Sequence, residues 1–303
     1  MAIKTVQAII NGQTHTLTLN AATGKYEATI TAPEKSSYPL EGHYYGVVVK
    51  ATDDAGNITT IDDKHQTLGS ALQLRVKEKN PPTITIISPT ESSRITNNKP
   101  KITWTVVDDD AGVNPDTIGI TIDSSSKITG SSVVKTKIDN GYACSYTPSI
   151  ALTDGNHTIK VDASDYDGNA ATQKKVSFTV DTIAPTLSVT SPEEGMITNS
   201  NSVVVSGKTN DATSSPVTVL IKINGQSETN VTVNSDGSFS KTITIPSGVN
   251  TITIIATDAA GKSTTVNRTV VLDTGAPVFQ SVTITPNPVD AGNTYIISVE
   301  VTD

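Results

Sequence analysis

Carboxylates gathered at turns are the side chains in this sequence whose types and spacing suggest chemistry. Asp108-Asp109-Asp110-Ala111-Gly112 is an acidic loop with oxygen ligands of the kind Ca2+ takes. Asp53, Asp54, Asp165 and Asp167 add carboxylates at other turns. Solvated turn residues that tolerate unusual backbone angles give the same pattern, and no Asp-x-[Asp/Asn]-x-[Asp/Asn]-Gly loop is present. Asp108, Asp109 and Asp110 are therefore the metal candidates, calcium is the one ion considered, and no other cofactor is expected. His15, His43, His65 and His157 are scattered without metal-ligand spacing. No nucleophile or paired acid and base stands beside the aspartates, and serine and threonine are too frequent for any one to be singled out. No catalytic residue is expected, and the chain reads as a non-enzyme. Cys144 is the lone cysteine, so no intrachain disulfide forms. It alternates with Tyr142 and Tyr146 on one face of an expected strand and reads as a small buried thiol. The ring-bearing residues Tyr38, His43, Tyr44 and Tyr45 suit either a sugar-stacking surface or a core.

The elements that must position these groups are strands. The 303 residues carry a net charge of −8 and few aromatics, and their apolar residues are mostly valine and isoleucine, which suit pleated sheets. An acidic surface repels phosphate backbones, so nucleic acid is not an expected partner. No apolar run is long enough to span a membrane as a helix, and the opening MAIKTVQAIINGQ lacks the features of a secretory signal.

Internal repeats fix the organisation. Three turns share the form Ala-x-Asp-x-x-Gly: Ala51 to Gly56, Ala163 to Gly168, and Ala256 to Gly261. Each lies between two strand-like runs, where glycine supplies the positive φ of a hairpin. Residues 9–32 (IINGQTHTLTLNAATGKYEATITA) match residues 222–245 (KINGQSETNVTVNSDGSFSKTITI) position by position, with Asn11 on Asn224, Gly24 on Gly237, and Tyr26 on Phe239. In the later repeat Asn224 follows the third strand, so Met1 to Ile10 should be a third strand too. Residues 276–303 match the opening 28 residues of the repeats that begin at Pro81 and Ala184.

The expected layout is a domain over 1–80 lacking its first two strands, complete domains over 81–182 and 183–275, and a two-stranded segment over 276–303. Each complete repeat shows about seven short strands, the pattern of an all-β immunoglobulin-like Greek-key sandwich. The joints carry proline, as in Asp181-Thr182-Ile183-Ala184-Pro185, which stiffens a linker, so the domains are expected to form a rigid rod.

The Asp-Thr-x-Ala-Pro joint, the Ala-Thr-Asp-x-Ala-Gly turn and the Asp-Gly-x-Phe-x-x-Thr-Ile hairpin resemble tandem bacterial immunoglobulin-like (Big-type) repeats. Such repeats are typical of Gram-positive surfaces and phage virions. The resemblance covers essentially the whole chain and implies the fold. It further implies a spacer, stalk or adhesion role with an extracellular location in a filament, a virion or a cell surface. It brings no catalytic motif.

A sandwich missing two strands exposes its core and an unpaired sheet edge, a template for strand addition. The last segment has the complementary deficit, because an isolated hairpin is marginal in water. Its apolar face is expected to comprise Val278, Val282, Ile284, Tyr295, Ile297, Val299 and Val301, and the receiving face Val6, Ala8 and Ile10. Two intervening domains of ~30 Å strands would hold the two ends of one chain far apart, so another copy is the expected partner, joined head to tail as a homopolymer, with Asp303 of one copy beside Met1 of the next. A boundary cut at the same loop by chance, completion by a different protein, and a stalk or adhesion module binding bacterial surface glycans are the alternatives.

Overall fold

The computed structural model describes residues 2–303, apart from the side chains of Ser227 and Glu228. Met1, the expected start of the first strand, lies outside the described residues. The chain divides into two compact units, one ending at Val180 and one beginning at Asp181. Among the described residues there are strands, turns and three single-turn 3-10 segments, and no α-helix.

The first domain contains β1 (Ile3–Ile10), β2 (Gln13–Asn20), β3 (Lys25–Glu27), β4 (Tyr45–Asp53), β5 (Ile58–Ile61) and β6 (Gln73–Leu74). The turn between β1 and β2 is Asn11-Gly12, both at positive φ, as a type I′ hairpin requires. All six strands join a single sheet of order β3-β2-β1-β4-β5, with β6 also on β4.

The second domain contains β7 (Thr83–Ser88), β8 (Arg94–Ile95), β9 (Ile102–Val107), β10 (Val113–Ile122), β11 (Val134–Ile138), β12 (Gly141–Tyr146), β13 (Gly155–Asp165) and β14 (Lys174–Val180). Its sheets, β10-β13-β14-β8 and β11-β12-β9-β7, face each other across one core. Ile102, Trp104 and Val106 point inward from β9 and meet Ile118, Ile120, Ile159 and Val161 of the other sheet. Alternation at period two produces this, since every second side chain of a strand shares a face.

The third domain repeats the plan with β15 (Thr186–Ser191), β16 (Met196–Thr198), β17 (Ser202–Asn210), β18 (Thr218–Ile223), β19 (Gln226–Val231), β20 (Ser238–Thr244), β21 (Gly248–Thr257) and β22 (Ser263–Leu272). Its sheets are β15-β17-β20 and β16-β22-β21-β18-β19, packed over Val203, Val205, Phe239, Ile221, Ile252 and Ile254. The last two strands, β23 (Val278–Thr285) and β24 (Ile296–Thr302), pair only with each other.

Candidate functional site

The first domain holds one face of a sandwich without the other. Strands β1 and β4 pair so that Val6 meets Ala51, Ala8 meets Val49 and Ile10 meets Val47. The corresponding pairs of the third domain are Val219 with Ala256, Ile221 with Ile254 and Ile223 with Ile252. There Val219, Ile221, Ala256, Ile254 and Ile252 are buried by the opposing sheet. In the first domain only Ala8 of the six reaches that state, and Val6, Ile10, Val47, Val49 and Ala51 remain partly exposed. An open cleft of about 430 Å3, lined by Ile10, His15, Ile30, Pro33 and Tyr45 among others, lies beside them.

What is absent can be read from the third domain. Its second sheet places β17 between β15 and β20. The first domain supplies the counterpart of β20, residues 25–31, of which only Lys25–Glu27 is strand. Counterparts of β15 and β17 are not present among residues 2–80.

The β23–β24 hairpin has the form of that missing pair. Val278 lies opposite Thr302, as Thr186 lies opposite Asn210 and Thr83 opposite Val107. These positions stand at the same distance from the repeat starts at Ala276, Ala184 and Pro81, so the three strand pairs share one register at this end. The bulge then falls between Phe279 and Ser281 in the hairpin but between Ile86 and Ser88 and between Val189 and Ser191 in the complete domains, so the partner of Val299 is one place further along than those of Trp104 and Gly207. One face of the hairpin carries Phe279, Val282 and Ile284 across from Val301, Val299 and Ile297, with Tyr295 just before β24. Every one of these side chains is exposed. The register corrects one expected member of this face. Val278 sits opposite Thr302 on the other side, and Phe279 takes its place because a bulge between Phe279 and Ser281 shifts the alternation by one residue. Phe279 corresponds to Ile84, which is buried in the second domain.

Of the aromatic residues set apart by the sequence, Tyr38 reaches the joint between the first two domains, and Tyr44 and Tyr45 are engaged within the first domain. Tyr38 stacks between His43 and Tyr166, with centroids 4.2 Å away on each side, and His43 Nδ1 contacts the Tyr38 carbonyl. Tyr45 is buried and donates to the Lys35 carbonyl, and Tyr44 donates to Asp63 Oδ2 at 2.8 Å.

The acidic loop does not act as a unit. Asp109 accepts from Asn140 Nδ2, and Asp110 accepts from the Ser36 amide. Asp108 alone turns inward, where it joins Glu78 and Asp165, each offering an oxygen within 4.8 Å of the others. A second group of the same kind consists of Asp181, Asp211 and Asp258. Sequence reading missed both groups because their members come from three separated segments; the common spacing from each repeat start was the available signal. Burial raises Glu78 above the ordinary carboxylate range, the hydrogen bond from the Ala111 amide opposes this, and the charge of Asp108 adds to the rise. Cys144 is buried and its thiol is pushed up to about 11.

Residues 87–182 match the family of bacterial Ig-like domains, and residues 185–274 match domain B of glucodextranase. Bacillopeptidase F of Bacillus subtilis (strain 168) is 31% identical over 130 residues, covering 43% of this chain. The chain spans only 8% of that relative's length. Among solved structures, titin domains A168–A170 align with a TM-score of 0.43 at 12% identity, over 88% of this chain and 86% of that one. A tetra-tandem repeat from the extending region of a large adhesion protein aligns with a TM-score of 0.32 at 18% identity, over 98% and 79%. Residues 87–182 thus carry a bacterial Ig-like domain, and tandem domains of that kind suit structural and adhesion-type extracellular modules. No helix among the described residues is long and apolar enough to cross a membrane.

Proposed function

We propose that the chain is a non-enzymatic, extracellular fibre subunit that assembles head to tail, each copy donating β23 and β24 to the open first domain of the next. The observation that carries this reading is the register: on both sides of its bulge, an exposed apolar hairpin pairs as do the opening two strands of the complete domains, whose counterparts are not present among residues 2–80. Strand addition satisfies two deficits together, the unpaired edge beside β3 and the exposed apolar faces of both partners.

The third domain supplies the expected contacts. There Val203 pairs with Ile243, Val205 with Lys241 and Gly207 with Phe239. The same positions put Tyr295 of one copy against Ile30 of the next, Ile297 against Ala28, and Val299 against Tyr26. Such a contact is heterologous, so it continues into a filament unless its rotation closes a ring.

Electron microscopy and sedimentation of the purified chain test the proposal. Filaments or rings from the full sequence, and single particles from a variant lacking residues 276–303, are the expected results. Filaments from the shortened variant would overturn it, and isolated particles of the full chain that bind glycans would favour an adhesion stalk.

A further inference from the structure

The register that sets the inward contacts between copies also places the outward side chains. In the third domain Lys208 of β17 stands opposite Ser238 of β20. Lys208 lies 24 residues after its repeat start at Ala184, as Glu300 lies 24 after Ala276 and Thr105 lies 24 after Pro81. Ser238 corresponds to Lys25, in the match that also puts Gly24 on Gly237 and Tyr26 on Phe239. Donation of β24 therefore sets Glu300 of one copy directly opposite Lys25 of the next, a carboxylate facing an ammonium. Both residues are exposed. The one salt bridge found among the described residues joins His157 with Asp123 and involves neither of them. Glu300 accepts a long bond from Ser281 Oγ at 3.3 Å. Opposite charges at facing positions of an antiparallel pair attract, and like charges there repel.

This arrangement discriminates in two ways. The first concerns register. A slip of one residue turns the apolar face of β24 outward, so the competing registers are slips of two. One of them sets Glu300 opposite Glu27, whose carboxylate is held below the ordinary range by hydrogen bonds from Asn20 and Thr23 and so stays charged. The other sets Glu300 opposite Thr23, in the turn before β3, and takes residues of β24 off the receiving strand. The second concerns identity. The chain holds two further strands of the same kind, and homologous neighbouring domains are prone to exchange strands. At this position β17 brings Lys208, which Lys25 repels, and β9 brings the uncharged Thr105, which faces Ala143 in its own domain. Lys208 is matched instead to the third domain, whose Asp236 lies within its electrostatic reach. Of the three strands, β24 alone carries the charge complementary to Lys25.

We infer that Lys25 of the receiving copy and Glu300 of the donating copy form an ion pair that selects β24 over its equivalents β9 and β17 and holds it in one register. This rests on the strand-donation reading and names the residues that determine its specificity. An exposed pair adds little affinity. Its effect lies in the repulsion that meets the wrong strand and the wrong register.

The test measures copy–copy association of the full chain by sedimentation for the natural sequence, Lys25→Glu, Glu300→Lys and the double variant that exchanges the two charges. Glu300→Lys gives the donated strand the residue that β17 carries at this position. Each single variant should associate roughly fivefold more weakly in low salt, the scale of a facing pair turned from opposite to like charge. The double variant should return to within about twofold of the natural chain, and all these differences should shrink in about 1 M salt. In a mixture of natural and double-variant copies carrying different fluorophores, each kind should join its own kind in preference. Single variants that associate as the natural chain does, or a double variant as weak as either single, overturn the ion pair and leave strand donation standing. Random mixing of the two kinds overturns its role in selection. The absence of any association of the natural chain overturns both the pair and the strand donation on which it rests.

Discussion

Val282 lies directly across from Val299 in the β23–β24 hairpin, yet the two side chains are 59% and 48% exposed. The position of Val299 in the second domain is held by Trp104, which is fully buried. A cross-strand valine pair on a continuous apolar face gains little until a second sheet covers it. The neighbouring Ile297→Asp substitution places a charge at the centre of the proposed contact. Burying an unpaired charge there costs ~3 kcal/mol or more, about a hundredfold in the dissociation constant. Sedimentation should show that loss, while the melting of the second and third domains stays unchanged. Ser298→Asp, on the opposite face, should assemble nearly normally.

The joint between the first and second domains is fixed by a few specific contacts. Tyr38 stacks on Tyr166, the Glu78 amide donates to Asp167 Oδ2, and Asn169 Nδ2 donates to the Glu78 carbonyl. A double-mutant cycle with Tyr38→Ala and Tyr166→Ala should return a coupling of ~0.5–1.5 kcal/mol for the stacked pair. Denaturant unfolding of the natural chain, both single variants and the double variant measures it, and a coupling of zero would mean that the rings do not hold the joint.

Glu78 ionises less readily in the folded protein than in the unfolded chain, because it is buried and faces Asp108. A raised folded pKa gives stability that is fully present below the unfolded value of 4.5 and is lost as pH rises through the folded value. The natural chain should therefore be less stable than Glu78→Gln near neutral pH in EGTA. The difference should shrink as pH falls toward 4.5. Thermal melting of both proteins across that window reads the sign directly, and a constant difference would contradict it.

Burial pushes the Cys144 thiol up to about 11, so little thiolate exists at pH 8 and little of it is accessible. Iodoacetamide should label Cys144 only as the second domain unfolds, and the labelling curve in urea should follow that domain's unfolding transition. Rapid labelling of the folded protein would refute the buried placement.

Turn chemistry made much of the fold legible in the sequence. Asn11-Gly12 and the Ala-x-Asp-x-x-Gly turns are local signals, and each sits between paired strands in the structure. The alternation of Ile102, Trp104 and Val106 is a local signal of the same kind, and all three are buried. Phe279 escaped because alternation counted along a strand fails across a bulge, and nothing in Val278-Phe279-Gln280-Ser281 marks one. The acidic groups escaped because Asp108 was read with its neighbours Asp109 and Asp110, whereas its structural companions are Glu78 and Asp165, far away along the chain. Tyr38 and Tyr166 meet across a domain joint, a relationship that no local pattern encodes.

Cross-linking between copies tests strand donation most directly. One preparation carries Ala28→Cys, another Ile297→Cys, and the two are mixed from the dissociated state under mild oxidation; the natural Cys144 is buried and serves as background in each preparation alone. The pairing of Val205 with Lys241 in the third domain predicts that positions 28 and 297 stand directly opposite each other between copies, within the narrow Cα separation a disulfide tolerates. The expected result is a disulfide-linked dimer that forms in the mixture, fails to form in either preparation alone, and weakens when Ile296→Cys replaces Ile297→Cys. Assembled protein that yields no cross-link at 28 and 297, or yields it equally at 28 and 296, would contradict the proposed register and with it the donation of β24.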